Sequence, residues 1–248
     1  MDGGFFWAVA VLASVLVGMG KGGMPVVGML SVPVLALAVP GTTAAGLLLP
    51  VFVVSDMVGL YAYRREFNAR VLWITCSAMT LGVILGYFTA AMVPEAWVTI
   101  LIGVVGLAFA ANLLMRRRVV VEPQRARVAP GMFWGVIAGF TSFISHSGGP
   151  PYQVYTLPLG MQKAVYAGTS TIAFAYVNAI KLIPYAMLGQ ITVHSLGKVL
   201  VLMPVAGLSV FLGVRVVKWL PERVFFLAVT WALLAVSVKL LWDGAQVL

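Results

Sequence analysis

Two glycine-rich stretches place ionisable and hydroxyl side chains inside segments that are otherwise apolar. Residues 18–25 read GMGKGGMP and residues 145–151 read SHSGGPP. A glycine leaves its backbone amide open to a ligand, a lysine supplies positive charge, and a serine hydroxyl donates a hydrogen bond. Both stretches therefore combine groups that suit a small anion. The candidate binding residues are Lys21, Gly22 and Gly23 in the first stretch, and Ser145, His146, Ser147, Gly148 and Gly149 in the second.

Further polar side chains stand within or beside the apolar segments. Asp56 is the only acidic residue deep in an apolar run, and an ionisable side chain in such a place indicates function. Asp56 and His146, whose side-chain type titrates near neutral pH, are therefore candidates for coupling to protons. Asn178 and Lys181 are separated by about one helical turn and share a face, so both are candidate ligands of the anion. Gln153, shortly after the second stretch, is a further candidate donor.

The composition identifies the solvent around these segments. Hydrophobic residues make up 62% of the chain and charged residues 9%, and the mean hydropathy is +1.04. A soluble domain of this length needs more charge to cover its surface, so we expect a membrane protein in contact with a lipid bilayer. The alternation typical of barrel strands is missing from the sequence, which favours helices as the spanning elements. Six apolar runs have about the 20 residues that a crossing needs, and they are 43–63, 70–92, 95–115, 164–189, 194–217 and 222–243.

The basic residues are concentrated between the predicted crossings. Twelve of the 16 lysines and arginines lie at 64–70, 116–127, 163 and 215–223, and threading the crossings in order places these regions on one side of the membrane. The positive-inside rule makes that side cytoplasmic and places both termini outside the cytoplasm. Membrane insertion also accounts for the net charge of +9, so no nucleic-acid partner is expected.

The remaining apolar segments, 5–39 and 130–161, are each interrupted by one of the glycine-rich stretches. The arm at 5–17 would form about 20 Å of helix, which is too short to cross a bilayer alone. Each segment is therefore predicted to be a re-entrant hairpin or two short broken helices, followed by three full crossings. If both breaks reach the middle of the membrane, their amides line one central anion site.

The same pattern occurs twice, and short sequence matches indicate a duplication. The matches are GGMP at 22–25 with GGPP at 148–151, AG at 45–46 with 167–168, and VPEAW at 93–97 with LPERV at 220–224, at offsets of 126, 122 and 127 residues. This register places Asp56 opposite Asn178. Because three crossings per half are an odd number, the second half is predicted to be inverted relative to the first. The all-α polytopic fold then consists of a first repeat at 1–115, a basic cytoplasmic linker at 116–129 and a second, inverted repeat at 130–248.

Several side chains have two interpretations at this stage. Lys21 either faces a cavity and binds the anion or extends its ammonium group to the membrane surface. Lys181 either binds the anion or forms an ion pair with Asp56. Ser145 and His146 are neighbours in sequence, which seldom gives a nucleophile and its base the right geometry, and no G-x-S-x-G or H-E-x-x-H motif occurs. An enzyme is therefore not expected, and neither is a metal or another cofactor.

With these features the chain resembles the sulfite exporter TauE/SafE family of bacterial transporters. The resemblance rests on the duplicated halves, the glycine-rich motif near the start of each, the prolines at Pro33 and Pro158 and the length of the chain. Lys21 and His146 stand where the family pattern has a small residue. The resemblance implies a secondary transporter of sulfite or a small organosulfonate in the bacterial inner membrane, working by alternating access. A carboxylate transporter of the same fold and a passive channel for small anions are the alternatives, and the oligomeric state stays open.

Overall fold

The computed structural model describes residues 3–24, 27–28, 30–39, 41–89, 92, 94–115, 123–145, 147–187 and 200–247. Throughout these residues the regular secondary structure is helical, as the apolar runs predict. A 3₁₀ helix, Leu157–Leu159, follows the short α7. The α-helices include α1 (Gly4–Lys21), α2 (Ser31–Leu35), α3 (Gly41–Tyr63), α4 (Ala69–Thr89), α5 (Glu95–Met115), α6 (Val128–Ser145), α7 (Gly149–Thr156), α8 (Lys163–Met187), α9 (Leu202–Trp219) and α10 (Glu222–Val247).

Six helical segments of the described residues are long and apolar enough to cross a membrane. They are Gly4–Lys21, Gly46–Tyr63, Ala69–Thr89, Ala96–Met115, Leu202–Trp219 and Glu222–Gln246. Five of them coincide with predicted crossings. The predicted crossing at 164–189 forms the 25-residue helix α8, but its hydroxyl, amide and amine side chains lower its hydropathy below that of the six. Many of these polar side chains are buried between neighbouring helices, so α8 need not be apolar on every face.

Helix α1 corrects the prediction of a short first arm at 5–17. The helix continues through Gly18 and Gly20 to Lys21, and its 18 residues span about 27 Å. A Cβ atom on Gly18 would lie 2.1 Å from the carbonyl oxygen of Ala206 in α9, and one on Gly20 would lie 2.5 Å from the Cα of Gly28. These glycines therefore serve close helix packing instead of breaking the helix. The break comes later, at Gly23, whose φ of 102° is in the left-handed region that favours glycine.

Helices α3 and α8 lie against one another in antiparallel orientation. Tyr63, at the end of α3, contacts Gly168 of α8. Gly59, one turn earlier in α3, contacts Thr171, which comes later in α8, so the two helices run in opposite directions. Around this pair, α1 packs on α9, α4 packs on α6, and α5 packs on α10. The α3–α8 interface is therefore surrounded by other helices, which shield its polar side chains from lipid.

Candidate functional site

A cluster of buried polar side chains lies where α1, α3 and α8 meet. The Lys21 ammonium is 2.6 Å from Oδ1 of Asp56 in α3. The other carboxylate oxygen, Oδ2, accepts a hydrogen bond of 2.8 Å from the amide nitrogen of Asn178 in α8. Lys21, Asp56 and Asn178 are each less than a tenth exposed, and Lys181 is fully buried one turn beyond Asn178. We call these four residues the central cluster.

The surroundings of Lys21 explain why its side chain points inward. Its backbone carbonyl at the end of α1 accepts a hydrogen bond of 3.1 Å from the Thr171 hydroxyl. Gly59 leaves room for this approach, because a Cβ atom there would lie 3.0 Å from the Lys21 oxygen. The ammonium also lies 5.3 Å from the ring centre of Phe52, one turn before Asp56 in α3. The lysine thus contacts a carboxylate and an aromatic face inside the bundle, which excludes extension to the surface in this structure.

Lys181 has different partners from those of Lys21. Its ammonium donates to the carbonyl oxygen and to the hydroxyl of Ser142, each at 3.1 Å. Ser142 lies in the last turn of α6, where carbonyl groups have no partner within their own helix. The ion pair between Lys181 and Asp56 that was considered from the sequence is therefore not formed in the structure, and Asp56 pairs with Lys21 instead.

The central cluster brings two lysines and one carboxyl group together, and the three side chains lie within range of electrostatic interaction. Lys21 approaches at the level of Gly59, three residues after Asp56, and Lys181 lies three residues after Asn178. Because α3 and α8 are antiparallel, the two lysines lie on opposite sides of the Asp56–Asn178 pair. A small anion between them would meet positive charge from both directions.

The glycines of the two stretches were predicted to line one shared central site. Gly22 directly follows Lys21 of the central cluster, and a Cβ atom on Gly148 would lie 2.7 Å from the Cβ of Ser142, whose hydroxyl accepts from Lys181. Tyr63, at the end of α3, donates a 2.6 Å hydrogen bond to the Gly22 carbonyl, while Tyr185, near the end of α8, donates a 2.8 Å bond to the carbonyl of Phe143. Tyr63 lies seven residues after Asp56, and Tyr185 lies four residues after Lys181. Because α3 and α8 are antiparallel, these two hydrogen bonds lie toward opposite ends of the α3–α8 pair.

Close packing accounts for these glycines. A Cβ atom on Gly22 would lie 2.5 Å from the carbonyl oxygen of Val210 in α9, and one on Gly23 would lie 2.4 Å from the Tyr63 hydroxyl. A Cβ atom on Gly148 would lie 2.6 Å from the carbonyl oxygen of Ala138. Gly149 is buried at the start of α7. At Gly22, Gly23 and Gly148 the absence of a side chain lets helices approach one another, and the amides of Gly22 and Gly23 donate to carbonyl oxygens of α1.

Ser147 and Gln153 are the remaining predicted residues whose side chains the structure describes. Ser147 is buried, and its backbone N–H donates to the Thr141 carbonyl at 3.2 Å. His146, the side chain of Ser145 and residues 116–122 of the predicted linker lie outside the described residues. Gln153 was expected at the rim of a site. It is instead 1% exposed in α7, and neither atom of its amide has a hydrogen-bond partner.

Two features of the site were not anticipated from the sequence. Phe52 contacts the lysine of the central cluster, and its position one turn before the buried Asp56 was the available signal. Tyr63 follows Asp56 by seven residues, and Tyr185 follows Asn178 by seven residues. This is a further match between the two halves at the same offset of 122 residues. Within the part of the chain that the structure describes, no group of three His, Cys, Asp or Glu side chains could hold a metal ion.

Comparison with known proteins gives one match. A family model described as "Sulfite exporter TauE/SafE" matches residues 5–240, which is nearly the whole chain. No curated protein and no solved structure matches the chain.

Proposed function

The chain belongs to the sulfite exporter TauE/SafE family, and we propose that it is a secondary transporter of sulfite or a small organosulfonate. The family is one of membrane transporters, and the six apolar helices agree with a multi-pass membrane protein. The single observation that carries the proposal is the central cluster, in which two buried lysines face one carboxylate. Buried charge of this kind is costly within a bilayer and is typical of a substrate or ion pathway.

The anion binds between Lys21 and Lys181 in this proposal. An anion leaving water loses its hydration, and ammonium groups replace that hydration with charge-assisted hydrogen bonds. The Lys21 ammonium is held by Asp56 in the structure, so the anion displaces that carboxylate while Asn178 retains its other oxygen. Ser142, which accepts from Lys181, turns its hydroxyl toward the anion once the lysine moves.

Proton coupling follows from the same arrangement. A proton on Asp56 cancels the negative charge that competes with the substrate for Lys21. Binding of a proton and of an anion would then favour one another, as expected of a symporter. His146 remains a second candidate for the proton on the basis of its sequence position alone.

Two inverted repeats provide the framework for alternating access. In the register of the sequence, α1 corresponds to α6 and α4 corresponds to α9, and α1 packs on α9 as α6 packs on α4. Helices α3 and α8, which also correspond, pack on each other and bring Asp56 against Asn178. These exchanged pairings support a pseudo-two-fold axis in the membrane plane, and inverted repeats of this kind transport by rocking of one bundle against another. The proposed units remain 1–115, the linker 116–129 and 130–248.

The orientation in the bacterial inner membrane can be tested with equivalent positions of the two repeats. We expect both termini outside the cytoplasm. Arg65, just after α3, corresponds to Met187 at the end of α8. In a Cys76→Ala background, Arg65→Cys should react with a membrane-impermeant maleimide only in inside-out vesicles, and Met187→Cys only in intact cells. Labelling of both from the same side would contradict the inverted repeats, and exchange of the two sides would contradict the orientation.

A ligand screen and a flux measurement test the function itself. A ligand that binds only the folded protein raises its unfolding temperature. Sulfite, thiosulfate and methanesulfonate should stabilise the purified protein, whereas acetate should do so less. The double variant Lys21→Met/Asp56→Asn should be stabilised by sulfite less than the single variant Asp56→Asn, which keeps the Lys21 ammonium. In proteoliposomes, sulfite flux driven by a proton gradient supports a transporter. Flux that follows only the sulfite gradient would support a passive channel, and stabilisation by acetate alone would support a carboxylate transporter.

A further inference from the structure

A second group of buried polar side chains lies on α7 and α8, away from the central cluster. The hydroxyl groups of Tyr152, Tyr166 and Ser170 are each at most 1% exposed by residue, and none has a hydrogen bond of ordinary length. The Ser170 hydroxyl lies close enough to both phenols for a long hydrogen bond to each, and the Thr156 hydroxyl lies close enough to the Tyr166 phenol for another. We call Tyr152, Tyr166 and Ser170 the hydroxyl cluster. Buried hydroxyl groups normally have a hydrogen bond of ordinary length, and these three lack one, so the cluster can accommodate a further partner.

The hydroxyl cluster is aligned with the central cluster along α8. Ser170, Phe174 and Asn178 follow at intervals of four residues and therefore lie along one face of the helix. Eight residues of helix separate Ser170 from Asn178, which corresponds to about 12 Å. The hydroxyl cluster is the nearer of the two to Lys163, where α8 begins.

An aromatic pair stands between the two clusters. The rings of Phe174 and Tyr152 meet edge to face with their centres 5.2 Å apart. Phe174 is one turn from Ser170 and one turn from Asn178, so this pair occupies the level between the hydroxyl cluster and the central cluster. Tyr152 thus contributes its ring to the aromatic pair and its phenol hydroxyl to the hydroxyl cluster.

We propose that the hydroxyl cluster is a second subsite for the transported oxyanion, between the Lys163 end of α8 and the central cluster. The inference rests on the proposed transport of an anion. Three hydroxyl groups can donate to the oxygens of one oxyanion and replace part of its hydration shell. They carry no charge, so they hold the anion less strongly than the two lysines do. A transport path needs such a weaker position, because an anion must also be able to leave.

Selenite, a heavier analogue of sulfite, tests the subsite directly. Crystals of the full-length protein soaked in sodium selenite should show selenium anomalous density at two places, between Lys21 and Lys181 and within hydrogen-bond distance of Ser170. Density at the lysines with none at Ser170 overturns the subsite and leaves the proposed function intact. Water molecules alone, or hydroxyl groups paired only with each other, have the same consequence. A wild-type protein that neither binds selenite at the lysines nor transports sulfite overturns the proposed function itself.

Hydroxyl deletions test the role of the subsite in transport. Tyr166→Phe and Ser170→Ala each remove one hydroxyl group that has no hydrogen bond of ordinary length in the structure, so neither should lower the unfolding temperature. We expect each to slow sulfite flux at least tenfold while sulfite affinity at the central cluster changes less than twofold. Ser14→Ala is the matched control, because Ser14 is equally buried but bonds to the Ala10 carbonyl of its own helix. Flux in both variants equal to that of Ser14→Ala would overturn a role in the path.

Discussion

Replacement of Asp56 by asparagine separates the two tasks that the structure assigns to this carboxylate. Asp56→Asn keeps the shape of the side chain and a hydrogen-bond acceptor for Asn178, but it removes the charge that pairs with Lys21 at 2.6 Å. The side chains of the pair are only 10% and 5% exposed. Removal of one partner from a buried ion pair typically costs about 3–5 kcal/mol, because the remaining charge stays buried without compensation. We expect the ligand-free variant to lose stability by about that amount.

The same change should tighten anion binding. In the wild-type protein the anion must separate Lys21 from Asp56, and a hydrogen bond to a charged group contributes about 1.5–3 kcal/mol. Without that competition the dissociation constant for sulfite should fall by about 10- to 150-fold, since 1.4 kcal/mol corresponds to a factor of ten. Saturating sulfite should therefore raise the unfolding temperature of Asp56→Asn more than that of the wild type. Calorimetric titration and thermal unfolding of the purified protein measure both effects.

An identical substitution at the surface is the control. Asp243 pairs with Lys239 at the same distance of 2.6 Å, but the two side chains are 42% and 43% exposed. An exposed pair one helical turn apart contributes about 0.3–0.5 kcal/mol, so Asp243→Asn should change stability little and sulfite affinity not at all. If Asp56→Asn binds sulfite no more tightly than the wild type, Asp56 does not compete with the substrate for Lys21, and the proposed displacement is wrong.

Two further predictions concern the lysine and the helix interface. In the Asp56→Asn background, Lys21→Met should weaken sulfite binding by about 1.5–3 kcal/mol. The control Lys239→Met, on the exposed pair, should leave the dissociation constant from calorimetry unchanged. Equal affinities with and without the Lys21 ammonium would remove it from the site. Gly59→Ala should lower the unfolding temperature, because the added Cβ would lie 2.7 Å from a side-chain atom of α8. Gly207→Ala is the control: the nearest atom to its added Cβ would be 3.8 Å away, so it should raise stability by about 0.5–1 kcal/mol. A stabilising effect of Gly59→Ala would contradict the tight α3–α8 contact.

Much of this architecture is readable from the amino-acid types. Long apolar runs must form helices in lipid, because only helices satisfy their backbone groups within one segment. Within the residues that the structure describes, each predicted crossing contains a long helix. The repeat register placed Asp56 opposite Asn178, and the two side chains are hydrogen bonded. The family was also identifiable from the glycine-rich motifs and the predicted duplication of the two halves.

The glycine stretches show where interpretation of the sequence alone went wrong. A glycine can expose its amide to a ligand or let two helices touch, and both uses produce the same residue type. Gly18 and Gly22 contact α9, whose sequence lies nearly 200 residues further along the chain. Periodicity within residues 5–39 contains no information about that contact, so the prediction of a short first arm was wrong, and a central site lined by the glycine amides stays a prediction.

The sequence by itself identified the charged side chains that lie within apolar runs, and tertiary structure decided whether they are buried and which partners they have. Lys21, Asp56 and Lys181 are set apart by their position in apolar runs, since burial of any of them in lipid requires compensation. Which of the two lysines pairs with Asp56 depends on how α1 and α6 approach the antiparallel pair α3 and α8. Pairing energies fall steeply with distance, and a distance between helices far apart in sequence is set by the packing of the whole bundle.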